Sequence, residues 1–249
     1  MAAPFEISGM GQKISISDEH HRLWKSISLT HIEYYAGDII GFLLAWICLL
    51  PLALLVGFVT LILFRRDLHT LSFFVGQLCC EVVGFVLKNI IQESRPSFHN
   101  HGTTFTHYGM PSSHSQFMWF FATYTLFFLF VRLRRTGNFV TDTVWRAGIV
   151  VVVFLAAFLV SYGRVHLLYH TSQQVFWGAV LGILLAIIWF AVVMLVLTPL
   201  FPTVASWPVS EFLMIRDSTL IPNVMWFEYT STRTESRARQ RKLVTMKSQ

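Results

Sequence analysis

The chain has 249 residues, enough for one domain of ordinary size, of which 54% are hydrophobic and only 13% charged. A soluble domain carries about 25% charged residues, so most of this surface must face something other than water. The net charge of +6 then reads as membrane topology rather than nucleic-acid binding, because no Lys/Arg stripe is interleaved with aromatics.

Residues 1–37 form a mixed amino-terminal arm. A bilayer core of about 30 Å needs about 20 apolar residues in a helix, and five segments approach that length. The first, 39–64, has no charge at all. It lies too far in and is too long for a cleaved leader, so it reads as a retained signal anchor. The second, 71–91, carries Glu81 and Lys88. A loop over 92–113 follows, punctuated by Pro96, Gly102, Gly109 and Pro111. The third, 116–131, is rich in Phe and short unless the preceding turn joins it. The fourth runs over 147–162 and the fifth over 175–197.

Beyond 198 come Pro199, Pro202, Pro208 and Pro222, with Trp207, Trp226 and Phe227 between them. That mix predicts an interfacial segment rather than a sixth span. The basic stretch 233–247 reads as a helical or disordered tail. The expected architecture is an all-α membrane bundle of about five helices. An arm over 1–37 precedes the membrane domain over 38–197, and a carboxy-terminal segment over 198–249 follows. Cys48, Cys79 and Cys80 all lie in apolar runs, which gives neither a disulfide framework nor a spaced metal knot.

Charge sets the expected orientation. With five crossings, Arg65, Arg66, Arg132, Arg134, Arg135 and the basic tail share one face. The positive-inside rule makes that face cytosolic. The amino terminus, the 92–113 loop and the 163–174 connection then share the lumenal or extracellular face.

Three clusters fall on that second face: Lys88 with Arg95-Pro96, Pro111-Ser112-Ser113-His114, and Arg164 with His170. Together they supply three cations, a hydroxyl and two imidazoles. Phosphoryl transfer needs such groups, because its catalysis is mostly positioning and charge stabilisation. Arg presents a planar fork to phosphate oxygens and Lys a point charge. A helix start at 113 adds backbone N–H groups. Two histidines permit attack by one and proton donation by the other.

Lys88-x6-Arg95-Pro96, Pro-Ser-Ser-His at 111–114 and Arg164-x5-His170 together resemble the three-part signature of the type 2 phosphatidic acid phosphatase superfamily. The stretches 108–121, 197–202, 207–212 and 220–223 are similar to its branch acting on polyisoprenyl diphosphates. The resemblance implies a metal-independent enzyme without a cofactor. In it His170 would attack phosphorus to form a phosphohistidine, and His114 would protonate the departing oxygen. Lys88, Arg95, Ser113 and Arg164 would hold the phosphoryl oxygens. It also implies hydrolysis of dolichyl diphosphate to dolichyl phosphate and inorganic phosphate. The expected setting is the endoplasmic reticulum membrane, with the site facing the lumen and the product supporting protein N-glycosylation. The implied partners are the polyisoprenyl diphosphate lipid and the bilayer, with no nucleic acid and no obligate protein partner.

Two positions depart from the superfamily pattern. Gly163 stands where Ser usually precedes the third-motif Arg, and Gln174 stands where Asp usually follows the nucleophilic His by four residues. A Gln carbonyl can accept the ring N–H but brings no charge, and charge-assisted hydrogen bonds are roughly twice as strong as neutral ones. The expectation is therefore a slower enzyme, or a carboxylate supplied from elsewhere. Glu81 lies two helical turns before Lys88 on the same face; it reads as half of an ion pair with Lys88, the favoured expectation, or as a functional carboxylate.

Plainer readings stand beside these. His166 and His170 have the i,i+4 spacing of metal ligands but lack a third ligand at a known spacing. His99, His101 and His107 read as solvated loop residues. The aromatic run over 117–130 is either an isoprenoid groove or ordinary lipid-facing or core surface. The alternatives for function are a phosphatase or phosphotransferase acting on another lipid phosphate, and a catalytically silent membrane scaffold.

Overall fold

The computed structural model describes residues 24–27, 32–35, 37–96, 108–133, 139–221 and 224–247. His99, His101, His107, Arg134, Arg135 and Pro222 lie outside the described residues, as does most of the amino-terminal arm. Apart from a two-stranded antiparallel hairpin, β1 (Trp24–Ile27) and β2 (Ile32–Tyr35), the described chain is helical.

α1 (Ile39–Ile47) and α2 (Leu50–Arg65) follow each other as one apolar stretch, with Pro51 in the first turn of α2, where its missing N–H costs nothing. α3 (Leu68–Ile91) starts under an Asp67 cap that accepts from the His69 and Thr70 amides. α4 (Ser113–Phe127) continues through a π-helical turn to Arg132. α5 (Phe139–His166) and α6 (Ser172–Val192) follow. α6 runs on through a second π turn into α7 (Thr198–Ala205), and α8 (Pro208–Phe212) and α9 (Val224–Lys247) close the chain.

Among the described residues, four helices are long and apolar enough to cross a membrane: Ile39–Arg65, Leu68–Ile91, Phe139–His166 and Ser172–Ala205. Their outward faces carry large bare apolar side chains, Phe64 at 81% and Ile39 at 75% exposure, a pattern that lipid and not water accommodates. The chain is a multi-pass membrane protein.

α4 is the hub, packing on α3, α5 and α6. Ser115, Gln116, Phe117, Met118, Phe120, Ala122, Thr123 and Tyr124 are all buried on it, so its polar side chains meet protein rather than lipid. The contact with α6 is close because Gly178, Gly182 and Ala186 make a small-residue stripe. A Cβ on Gly182 would lie 2.4 Å from the Gln116 carbonyl oxygen. Ser115 Oγ donates to the Val175 carbonyl at 2.9 Å, and Gln116 Nε2 to the Cys80 carbonyl at 2.6 Å, so the interior polar groups hold neighbouring helices in register.

Two boundaries differ most from the sequence reading. The fourth segment begins at 139 rather than 147, because Asp142 and Arg146 neutralise each other within the helix at 2.7 Å. Arg146 Nη1 also donates to the Leu129 and Leu133 carbonyls at the end of α4. The fifth segment does not stop at 197. It continues in helix to 205, since Pro199 sits in the first turn of α7 and Thr198 Oγ1 returns to the Val193 carbonyl at 2.8 Å. The basic stretch 233–247 is helical, within α9.

The bundle separates two polar ends. At one, Arg65 and Arg216 share Glu228, and Arg132 meets His69. At the other lie the ends of α3 and α5 and the starts of α4 and α6, where the sequence clusters converge.

Candidate active site

Lys88 sits in the last turn of α3, which ends on Gln92 in the left-handed conformation (φ 54°). The chain then turns sharply. Glu93 O accepts from the Gly109 amide at 2.7 Å, and Ser94 bridges to Tyr108, so both stems of the long loop are tied together. Arg95 Nε donates to the Tyr108 carbonyl at 3.4 Å. On the returning stem, Ser112 caps α4 in an extended conformation, and its amide donates to the Gln174 carbonyl at 3.1 Å. Ser113 and His114 thus occupy the first turn, whose amides have no intrahelical acceptor.

α5 ends with Arg164 and His166. Leu168 adopts φ 59°, and the amides of Tyr169 and His170 both donate to the Arg164 carbonyl at 3.1 Å. This tight reversal brings His170 back beneath the helix end it has just left. Thr171 then starts α6 in a capping box with Gln174.

Glu81, Phe85, Lys88, Arg95, Ser113, His114, Arg164 and His170 line one cavity of about 280 Å³. Every residue given a catalytic or phosphate-binding role in the sequence reading therefore faces a single space, from three separate clusters in the chain. Lys88 Nζ donates to Ser113 Oγ. The Arg164 guanidinium stacks 4.1 Å over the Tyr169 ring, and its buried Nε has no partner among the described residues. Three cations, a hydroxyl and a helix N-terminus form a cradle for a tetrahedral anion.

The Gln174 network fixes which nitrogen of His170 is available. Gln174 is fully buried. Its Nε2 donates to Glu93 Oε1 at 2.8 Å and to the Ser94 carbonyl at 2.9 Å, and only an amide nitrogen satisfies two such acceptors. Its Oε1 therefore faces the Thr171 amide at 3.3 Å and His170 Nδ1 at 3.1 Å. His170 Nδ1 must carry the proton, leaving Nε2 with its lone pair. Burial first, then the Arg164 and Arg95 charges, hold the imidazolium of His170 well below the usual histidine range, against a smaller opposing pull from Gln174.

Some expectations are not met. Glu81 makes no ion pair with Lys88. Its Oε1 is buried without a partner, while Lys88 reaches Ser113 instead. Seven residues of helix separate the two groups by about 10 Å, too far for the side chains to close once Lys88 is engaged elsewhere. His166 does not line the cavity; its Nε2 is held by Asp38 Oδ2 at 2.8 Å. Glu93 was missed by the sequence reading. Its signal was slight: it is the lone carboxylate between 92 and 113, two residues before Arg95.

The PAP2 superfamily profile matches residues 69–196. The chain is 56% identical over 223 residues to dolichyldiphosphatase 1 of Rhinolophus ferrumequinum, covering 89% of this chain and 94% of that protein. Identity to dolichyldiphosphatase 1 of Homo sapiens is 55% over the same shares of both chains. The dolichyldiphosphatase 1 of Dictyostelium discoideum is 42% identical over 207 residues, 82% of this chain and 88% of that protein. No solved structure gives a match. With its three clusters lining one cavity and this extent of likeness along the chain, the protein belongs to the PAP2 superfamily.

Proposed function

We propose that this protein hydrolyses dolichyl diphosphate to dolichyl phosphate and inorganic phosphate through a phosphohistidine on His170. The observation that carries the reading is the Gln174 network, which leaves His170 Nε2 unprotonated at the wall of a cavity holding Lys88, Arg95 and Arg164. The terminal phosphoryl group rests among those three cations, Ser113 Oγ and the first-turn amides of α4. The Nε2 lone pair attacks the terminal phosphorus. The bond to the bridging oxygen breaks, and His114 gives that oxygen its proton as dolichyl phosphate leaves. His114 then takes a proton from water, whose oxygen attacks the phosphohistidine. Inorganic phosphate departs and His170 is restored.

The same reading places the site at the lumenal face of the endoplasmic reticulum membrane. α4 has 15 residues, and its π turn adds five more, a length of about 30 Å that suits a fifth crossing shielded by its neighbours. With five crossings, Arg65, Arg66 and Arg132 fall on the cytosolic side, and the cavity falls opposite. The headgroup enters from water while the isoprenoid stays in lipid, and the product serves dolichyl phosphate recycling for N-glycosylation.

The test is phosphate release from dolichyl diphosphate by purified protein in detergent with a chelator present. Wild type is expected to release phosphate and His170→Ala none. Equal release by both removes His170 as nucleophile. Release by neither, with turnover of phosphatidic acid or a sphingoid-base phosphate by wild type, moves the substrate to that lipid.

A further inference from the structure

A neutral glutamine beside the attacking histidine leaves an electrostatic gap. Where an aspartate would meet the ring N–H with a full negative charge, Gln174 offers only an amide dipole. The ring stands among cations: Arg164 on α5, Arg95 on the loop stem and Lys88 on α3, with His114 on α4 and Glu81 on α3 lining the same cavity. As Nε2 bonds to phosphorus, the imidazole gains positive charge, and these cations oppose that gain. A carboxylate placed behind the ring would favour it.

The carboxylates near the ring can be taken in turn. Glu81 lies deeper on α3, and its Oε1 is buried without a partner. Asp38 is engaged by His166 at 2.8 Å, a residue that does not line the cavity. Glu93 differs from both. Its Oε1 accepts from Gln174 Nε2 at 2.8 Å, and the other end of that amide faces His170 Nδ1 at 3.1 Å. The chain His170–Gln174–Glu93 is continuous, with each donor and acceptor fixed by its neighbour. A hydrogen bond to a carboxylate draws the amide electrons toward its oxygen, which makes that oxygen a stronger acceptor for the ring N–H. The amide cannot pass a proton onward, so the effect is polarisation alone.

The linkage is also held in place. Gly109 lies against the Gln174 amide, and its own N–H donates to the Glu93 carbonyl at 2.7 Å. The turn after α3 that delivers Arg95 to the cavity therefore also delivers Glu93 to Gln174.

We infer that Glu93 is a positioning residue for the reaction, its carboxylate supplying through the Gln174 amide the negative charge that Gln174 itself lacks. The inference rests on His170 as the attacking group. Glu93 touches neither substrate nor the reacting atoms, so its signature is electrostatic. A neutral relay with the same shape keeps the ring in place but weakens support for the developing imidazolium.

The experiment compares wild type, Glu93→Gln, the exchange variant Glu93→Gln/Gln174→Glu and His170→Ala. Each is assayed as the full-length protein in detergent on dolichyl diphosphate across pH. Glu93→Gln is expected to lower kcat about fivefold with KM unchanged, the difference between a charge-assisted and a neutral hydrogen bond in the chain. It also lowers the pKa of His170, so the acid limb of kcat/KM moves down by roughly half to one pH unit. The exchange variant puts the carboxylate directly on Nδ1 and the amide behind it. It is expected to recover kcat to within about twofold of wild type, since the charged hydrogen bond is restored. Its acid limb should lie above that of wild type. His114, Glu81 and the three cations are the same in wild type and in both relay variants, so differences in the limb report the relay.

An unmoved acid limb in Glu93→Gln overturns the inference whatever its kcat, because a structural tie alone does not alter the protonation of His170. If Glu93→Gln fails to fold, the exchange variant decides alone, and a limb at or below that of wild type overturns the inference. Residual turnover in His170→Ala sinks the nucleophile reading itself. An inactive His170→Ala with an unmoved limb in Glu93→Gln sinks only the relay.

Discussion

Gly109→Ala is a substitution that removes no chemical group from the site and should still slow the enzyme. Gly109 has no positive φ, so alanine meets no backbone strain there. The effect comes from the added methyl group alone. Its Cβ would lie 2.6 Å from Gln174 Oε1, 2.7 Å from Nε2 and 2.8 Å from Cδ, where ordinary contact begins at 3.4 Å. The amide must retreat by about 0.8 Å, or the loop stem must move instead. Retreat strains the contacts to His170, Thr171, Glu93 and Ser94, two of which already measure 3.1 and 3.3 Å. Movement of the stem loosens the Gly109–Glu93 backbone bond and shifts Arg95 with it. Either route misplaces a group at the site, and a displacement of about 1 Å costs up to ~100-fold in rate. The expected fall in kcat is therefore about 10- to 100-fold, with a modest loss of thermal stability. Gly57→Ala is the control, because its added methyl meets nothing within 4 Å. The assay is phosphate release by each variant at saturating dolichyl diphosphate. A Gly109→Ala enzyme within twofold of wild type would refute the claim that the Gln174 amide sets the attacking histidine.

Further outcomes follow from the same geometry. In the proposed mechanism His170 attacks as the neutral imidazole, and burial beside Arg164 and Arg95 holds its pKa well below 6.5. As pH falls, activity should persist through 6.5 and be lost only as pH passes the lowered pKa, so half-loss of kcat/KM at or above pH 6.5 would contradict this environment. Asp142→Ala strands the Arg146 charge at a site where the two side chains are only 7% and 3% exposed. That should cost about 3–5 kcal/mol, read as a large drop in unfolding temperature in detergent, because a buried charge has lost its counter-charge and keeps only carbonyl acceptors. Gly182→Ala should also lower the unfolding temperature, since its methyl meets the Gln116 carbonyl at 2.4 Å and the Phe120 amide at 3.0 Å, both backbone atoms of α4 that cannot step aside.

The helical bundle and the convergence of the three clusters were legible because each rests on a local signal. Apolar length marks a span, and charge at its end marks a face. Lys88, Arg95, Ser113, His114, Arg164 and His170 declare themselves by residue type and spacing. What was not legible depended on partners distant in the chain. Glu93 accepts a hydrogen bond from a glutamine 81 residues away, and nothing local to Glu93 announces that pairing. Glu81 and Lys88 suggested an ion pair by sharing a helix face, but Lys88 found Ser113 across the cavity instead. Asp142 and Arg146 looked like the outside of a span, and their mutual neutralisation let α5 begin eight residues before the apolar run. Pro199 and Pro202 read as a stop, yet a π turn ahead of Pro199 carried the helix to Ala205. The hairpin Trp24–Ile27 with Ile32–Tyr35 lay in an arm whose composition gave no periodicity to follow.

The central claim is that His170 carries the phosphoryl group between lipid and water. It is tested most directly by rapid acid-free quenching of the enzyme with dolichyl diphosphate labelled in its terminal phosphate, followed by mapping of the labelled peptide. The account requires acid-labile, base-stable label on the peptide containing His170 in wild type, and none in His170→Ala. Label on another residue, or full turnover by His170→Ala, would contradict it.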